Sequence, residues 1–230
     1  MESMVLTAKI FEIREDASLA TIAAKLGEFR ERQIVKEEDR EVELLTDVRD
    51  IQAGPNHISG IFSRDKLIRI KQRGKEVPII KTIEAYIEFR NRGDKILLTV
   101  AQEKHFANSA ATTLSNALFL NYKSIVEAYI PPENIQQIHE SNPEGTKLIW
   151  FDQIDIPGVD KLALAGPSLM DTSLYQEYLS HGKIWYIVYT TRSGGKIIGL
   201  TRNAVVTAFT KMPESEFIDY ITSNVFPLIR

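Results

Sequence analysis

The amino-acid sequence predicts an α+β protein of two lobes, each an antiparallel sheet with helices packed on one face. Three observations lead to that class. Between Ile58 and Val100, apolar and polar residues alternate with the period of two that marks a half-buried strand. Apolar stripes at helical spacing flank this stretch, over Leu19–Phe29 and Phe106–Leu118. After Ser141-Asn142-Pro143-Glu144-Gly145, where turn-forming residues cluster, the same ingredients return in less space. That cluster divides a larger lobe, 1–141, from a smaller one, 142–230.

Val5–Ile13 is rich in β-branched and aromatic residues and reads as a strand. Asp16 suits a helix cap, and Leu19, Ile22, Ala23, Leu26 and Phe29 give the following helix one apolar face. Lys36–Arg40 reads as a solvated loop or helix end, and Glu41–Leu45 as a short strand. A four-stranded meander follows: Ile58–Ser63, Lys66–Lys71, Val77–Phe89 and Ile96–Val100, with turns at Arg73-Gly74-Lys75 and Asn91-Arg92-Gly93-Asp94. In its third strand Ile79, Ile83, Ala85, Ile87 and Phe89 point one way, while Thr82, Glu84, Tyr86 and Glu88 point to the open side. Ile87→Asp should therefore unfold this lobe, and Glu88→Gln should do little.

The Phe106–Leu118 stripe is rich in alanine, which allows close approach to a sheet. Ile125–Ile130 adds a strand, and Pro131-Pro132 starts a helix ending near Ser141. In the smaller lobe Lys147–Phe151 and Lys161–Ala165 read as strands, and Asp171 caps a helix that Gly182 ends. Lys183–Thr191 is apolar on both faces, as a central strand should be, and Ser193-Gly194-Gly195 turns it into a strand over Ile197–Phe209. Pro213 opens the last helix, with Phe217, Tyr220, Ile221 and Val225 inward.

The totals exclude several classes of function. There are 230 residues and no cysteine, which removes disulfides, thiol nucleophiles and thiolate metal sites. Apolar runs such as Ile184–Tyr189 fall far short of the ~20 residues that span a bilayer. The opening Met1-Glu2-Ser3-Met4 is not that of a secretory signal, so a cytoplasmic location is expected, with no membrane partner. Net charge is −3, whereas a protein held on nucleic acid by its global field is basic. No glycine pair stands as G-x-G, no P-loop or Gly-x-Ser-x-Gly elbow occurs, and the four histidines are far apart. No cofactor and no catalytic residue is assigned.

Three constellations remain. Asp152, Asp155 and Asp160 fall within nine residues and, converging, would hold Mg²⁺ for a hydrolase or phosphotransferase; Pro157-Gly158 between them favours a plain turn. Arg192-Ser193-Gly194-Gly195-Lys196 joins two cations to a glycine turn that would suit a phosphate, in a place where a hairpin must turn anyway. His181 complements a helix C-terminus, and Trp185 with the neighbouring tyrosines reads as core. The third constellation carries most weight. Arg69, Lys71 and Arg73 share one strand face in the hairpin 64–81, Lys75 follows in the turn, and Tyr86 is expected on the same face. With Arg69 opposite Ile80 or Lys81, these cations lack direct cross-strand acids. The expected function is non-catalytic binding or assembly through the exposed face of this sheet. A protein partner or self-association leads, with the acidic segment 28–50 as one cover for the patch. Nucleic acid is the alternative partner.

Overall fold

The computed structural model describes residues 5–37, 40–166, 169 and 172–230. Among these residues, twelve strands and five α-helices follow in the order β1 (Leu6–Ile13), α1 (Leu19–Glu28), β2 (Arg30–Glu37), β3 (Arg40–Ala53), β4 (His57–Gln72), β5 (Lys75–Arg92), β6 (Lys95–Ala101) and α2 (Lys104–Phe119). The chain continues with β7 (Ile125–Glu127), α3 (Pro132–Ser141), β8 (Thr146–Asp152), β9 (Leu162–Ala165), α4 (Ser173–His181), β10 (Lys183–Thr190), β11 (Ile197–Thr201), β12 (Val205–Ala208) and α5 (Glu214–Tyr220).

The α+β class holds, but the two separate sheets do not. The strands form one antiparallel 12-stranded sheet in the order β2-β3-β4-β5-β6-β1-β12-β11-β10-β8-β9, with β7 also paired to β1. The cause is a pairing invisible to local pattern: the first strand hydrogen-bonds the last, Leu6 opposite Ala208 and Lys9 opposite Val205. The chain clusters into two compact units, Phe11–Val126 and Met1–Ile10 with Glu127–Arg230. The 141–145 stretch falls inside the second of these, at the end of α3 and in the turn that leads to β8.

In the unit Phe11–Val126, β4 pairs with β5 without interruption from His57↔Arg90 to Gln72↔Lys75. Two expected strands are thus one. Arg64 and Asp65, which read as a break, are accommodated within β4. Asp65 accepts from the Leu45 amide at 3.1 Å and the Thr82 hydroxyl at 2.6 Å. Arg64 donates to the Ser109 and Thr113 hydroxyls at 2.6 and 2.5 Å. Of the loop or helix end expected over Lys36–Arg40, Lys36, Glu37 and Arg40 are strand residues, β2 and β3 pairing from Arg30↔Asp47 to Glu37↔Arg40, and residues 38 and 39 lie outside the described residues. Ser18, not Asp16, caps α1, its hydroxyl accepting from the Thr21 amide at 3.1 Å. The core on one sheet face comprises Ile58, Phe62, Ala85, Ile87 and Phe89, covered by Ile22 and Leu26 of α1 and by Phe106, Ala110 and Leu114 of α2. The other face is not open at this end: Glu88, Leu97 and Thr99 are buried. The outermost strand, β2, is exposed along nearly its whole length and carries Arg30, Glu31, Arg32, Lys36 and Glu37, with Ile34 65% exposed.

In the other unit, the expected strand Ile197–Phe209 is two, because Ala204 adopts a positive φ of 55° and its amide closes a turn onto Thr201. The helix α4 is capped by the Thr172 hydroxyl, 3.2 Å from the Leu174 amide; Asp171 lies outside the described residues. Beyond α5 the helix widens to a π turn over Ile221–Val225. Phe217, Ile221 and Val225 are buried as expected, and Tyr220 is only half-buried. No helix among the described residues is long and apolar enough to cross a membrane.

Candidate functional site

The ladders that flank the β4–β5 hairpin stop short of its tip. The β3 ladder on β4 ends at Thr46↔Arg64, and the β6 ladder on β5 begins only at Tyr86↔Ala101. From Asp65↔Thr82 to Gln72↔Lys75 the two strands ladder only with each other, an arm roughly 25 Å long at the usual rise per residue. Arg73 and Gly74 close it with φ values of 48° and 81°, the positive pair of a type I′ turn, whose twist suits a two-residue hairpin.

Directly opposed residues of an antiparallel pair share a face, so the register sorts the charges. One face carries Asp65, Leu67, Arg69 and Lys71 beside Thr82, Ile80, Pro78 and Glu76. Here Arg69 lies opposite Pro78, and Lys71 lies directly opposite Glu76, which corrects the expected absence of cross-strand acids. Arg69 also forms ion pairs with Glu37 at 2.6 Å and Glu76 at 4.0 Å. The acidic hairpin β2–β3 thus reaches the expected patch at Arg69, from beside β4 in the same sheet.

The expected site does not assemble as a unit. Arg69 and Lys71 share that face, Arg73 sits at the tip, and Lys75, opposite Gln72, belongs to the other face. Tyr86 lies on the Arg69 face but ten positions along β5 from Glu76, about 33 Å away at the usual rise. It donates to Glu88 at 2.9 Å, and Arg90 donates to the other Glu88 oxygen at 2.7 Å. Burial is the main cause that pushes the Tyr86 phenol up to about 12. Tyr86 is a member of a half-buried polar network, not of the arm.

The second face of the arm is the one that local sequence pattern does not single out. It carries Arg64, Lys66, Ile68, Ile70 and Gln72 beside Ile83, Lys81, Ile79, Val77 and Lys75, with no acid among them. Lys66 and Lys81 are directly opposed, exposed, and without a salt bridge to any described residue. Like charges in that position are destabilising. At the base of this face lies a hollow of about 530 Å³ shared by Lys66, Lys81, Ser109 and His105 of the first turn of α2. Glu84 and Glu103 also border it, and both are engaged: Glu84 by Arg49, and Glu103 by the amides of His105 and Phe106 at 2.8 and 2.7 Å. A signal for this face existed in the parity of Arg64, Lys66, Lys75 and Lys81, but reading it required the turn to be placed at Arg73-Gly74.

The other constellations are used within the fold. Asp152 forms a bidentate pair with Arg202, at 2.9 and 2.6 Å. Asp155 pairs with His181 at 2.8 Å, at the C-terminal end of α4. Asp160 joins neither, and no group of three metal-ligating side chains occurs among the described residues. The Arg192–Lys196 turn is held by Thr191, whose hydroxyl donates to the Ser193 carbonyl at 2.7 Å and accepts from the Lys196 amide at 3.0 Å. Tyr175 and Tyr189 are core, whereas Trp185 and Tyr186 are only half-buried, with the Lys161 ammonium 4.9 Å from the Trp185 ring centre. Compared with known proteins, the chain matches no protein-family model, and no curated protein is similar to it at a significant level.

Proposed function

We propose that the protein is a non-catalytic binding protein whose β4–β5 arm is the contact element, and that the partner is a nucleic-acid duplex. The observation that supports this most directly is the opposed pair Lys66–Lys81, on a face where the two arm strands carry Arg64 and Lys75 and no acid of their own. A like-charge pair that weakens its own hairpin has a use where a polyanion supplies the missing counter-charge. The acidic hairpin β2–β3, the chain's own competitor, engages Arg69 on the opposite face, and on this face it brings Glu31 near Arg64 at the base, away from Lys66 and Lys81 farther along the arm. A two-stranded ribbon fits the major groove, which is about 12 Å wide. Residues 64–83 contain no aromatic, so stacking on single-stranded bases has no platform there.

The test is a salt series with a labelled mixed-sequence DNA duplex and its RNA counterpart. Phosphate contacts release counterions, so affinity should fall steeply with salt. Changing Lys66, Lys75 and Lys81 together to Ser should abolish most binding and flatten the slope by about one unit for each phosphate no longer engaged. Binding that is absent, or unchanged in the triple variant, overturns the proposal. A second reading, contact with an acidic protein surface or a second copy of the chain, is favoured by the exposed Ile70, Ile79 and Ile80. It predicts no duplex binding, together with a change in sedimentation on Ile70→Ser and Ile79→Ser substitution.

A further inference from the structure

In the unit Met1–Ile10 with Glu127–Arg230, a cleft of about 570 Å³ lies between the β10–β11 turn and α5. That volume falls within the usual range of small-molecule sites. Its lining includes apolar Ile138, Met212 and Leu228 together with Tyr189. Arg192 and Lys196 come from the turn, while Glu216 and Asp219 come from α5. Lys196 lies 3.5 Å from Glu216, so these two charges offset each other. Arg192 donates to the Ser141 carbonyl, a neutral acceptor, and Asp219 has no salt bridge among the described residues. One cation and one anion therefore border the same cleft without counter-ions.

Tyr189 and Tyr220 both line the cleft, and their hydroxyls lie 2.5 Å apart. Two hydroxyls carry two protons, and the bond between them uses one; the other has no acceptor among the described residues. Burial raises both phenols, so both remain protonated at neutral pH. Immediately after Tyr220 the helix widens to its π turn, an irregularity frequent at functional sites, and Ser223 and Asn224 of that turn border the cleft.

The geometry points to a binding site for a small zwitterion with an apolar side group, of the α-amino-acid kind. The carboxylate meets Arg192 and the spare tyrosine proton, the ammonium meets Asp219, and the side group lies against Met212 and Leu228. This site is separate from the arm and independent of its partner. Thermal melts and calorimetry on the full chain with L-leucine and L-methionine test it, against N-acetyl-L-leucine, which lacks the ammonium, and L-leucinamide, which lacks the carboxylate. The free amino acids should raise Tm by mass action, and the blocked forms should not. Asp219→Asn and Arg192→Gln should each weaken affinity about tenfold or more. If Arg192→Gln melts early without ligand, Asp219→Asn carries the test, because that carboxylate is exposed and unpaired in the described structure. No shift with either amino acid, equal shifts with the blocked forms, or undiminished affinity in Asp219→Asn overturns the proposal.

Discussion

Ile87 and Glu88 are neighbours on β5, and both are buried, at 0% and 3% exposure. Ile87→Asp places an unpaired carboxylate among Phe62, Phe89 and Leu114, at a cost of several kcal/mol, and should unfold the unit in urea or thermal melts. Glu88→Gln, expected from sequence to be mild, should instead cost about 1–3 kcal/mol, because Arg90 loses its charged partner. Alternation made the inward face of β5 legible residue by residue. It could not show that the outward face is also covered around Glu88, since a period of two reports parity and not what lies above it. His139 carries a different consequence. Its ring is buried, 3.0 Å from the Thr146 hydroxyl and 4.4 Å from the Tyr175 ring, and burial lowers its pKa against the opposing pull of Glu140. The unfolded imidazole titrates near ~6.5. Between that value and the lower folded one, the unfolded chain binds more protons, so this contribution to stability is whole above pH ~6.5 and is lost as pH falls below it. His139→Gln should flatten that part of the acid slope in melts taken across pH, and an unchanged slope would assign it to another group.

At the scale of elements, the arm trades stability for charge. Lys81→Glu converts the opposed lysine pair to an ion pair and should stabilise the hairpin by roughly 0.2–1 kcal/mol, while weakening duplex binding in the same variant. A variant that binds as before but melts higher would leave the lysine pair without a role in contact. Helices are legible in the sequence where their apolar stripes are long, as in α1 and α2, and strand β5 is legible almost end to end. The departures fall where side chains compensate for an apparent break. Arg64-Asp65 has the composition of a loop, yet Ser109, Thr113, Leu45 and Thr82 supply partners from other elements. The converse departure separates β11 from β12, because nothing in Arg202-Asn203-Ala204 announces that Ala204 takes a positive φ. The candidate face of the arm is illegible for a related reason: moving the turn by one residue exchanges the faces of a strand relative to its partner.

At the scale of the molecule, β12 is flanked by β1 on one side and β11 on the other, so its backbone is paired along both edges. Thr207 lies opposite Thr7 and Gly199, and Thr207→Pro deletes an amide from this interior strand. A clear fall in Tm is expected, and refolding followed by stopped-flow fluorescence should be slow even in the parent chain, because Leu6 must find Ala208. No local pattern announces a pairing between the two ends of a chain, which is why the single sheet was not legible while its elements were. The sheet ends at β2, and symmetry limits what that edge can join. In an antiparallel dimer about a two-fold axis the axis preserves the sheet face, so every residue must meet one of its own parity. Centred on Ile34, the pairing sets Arg32 against Lys36 and Glu31 against Glu37; centred on Gln33, it sets Arg30 against Lys36. The one alignment that matches Arg30 with Glu37 and Glu31 with Lys36 joins odd to even positions and is closed to a symmetric pair. The charges of β2 therefore oppose a doubled, continuous sheet in the two symmetric registers centred on the middle of the strand.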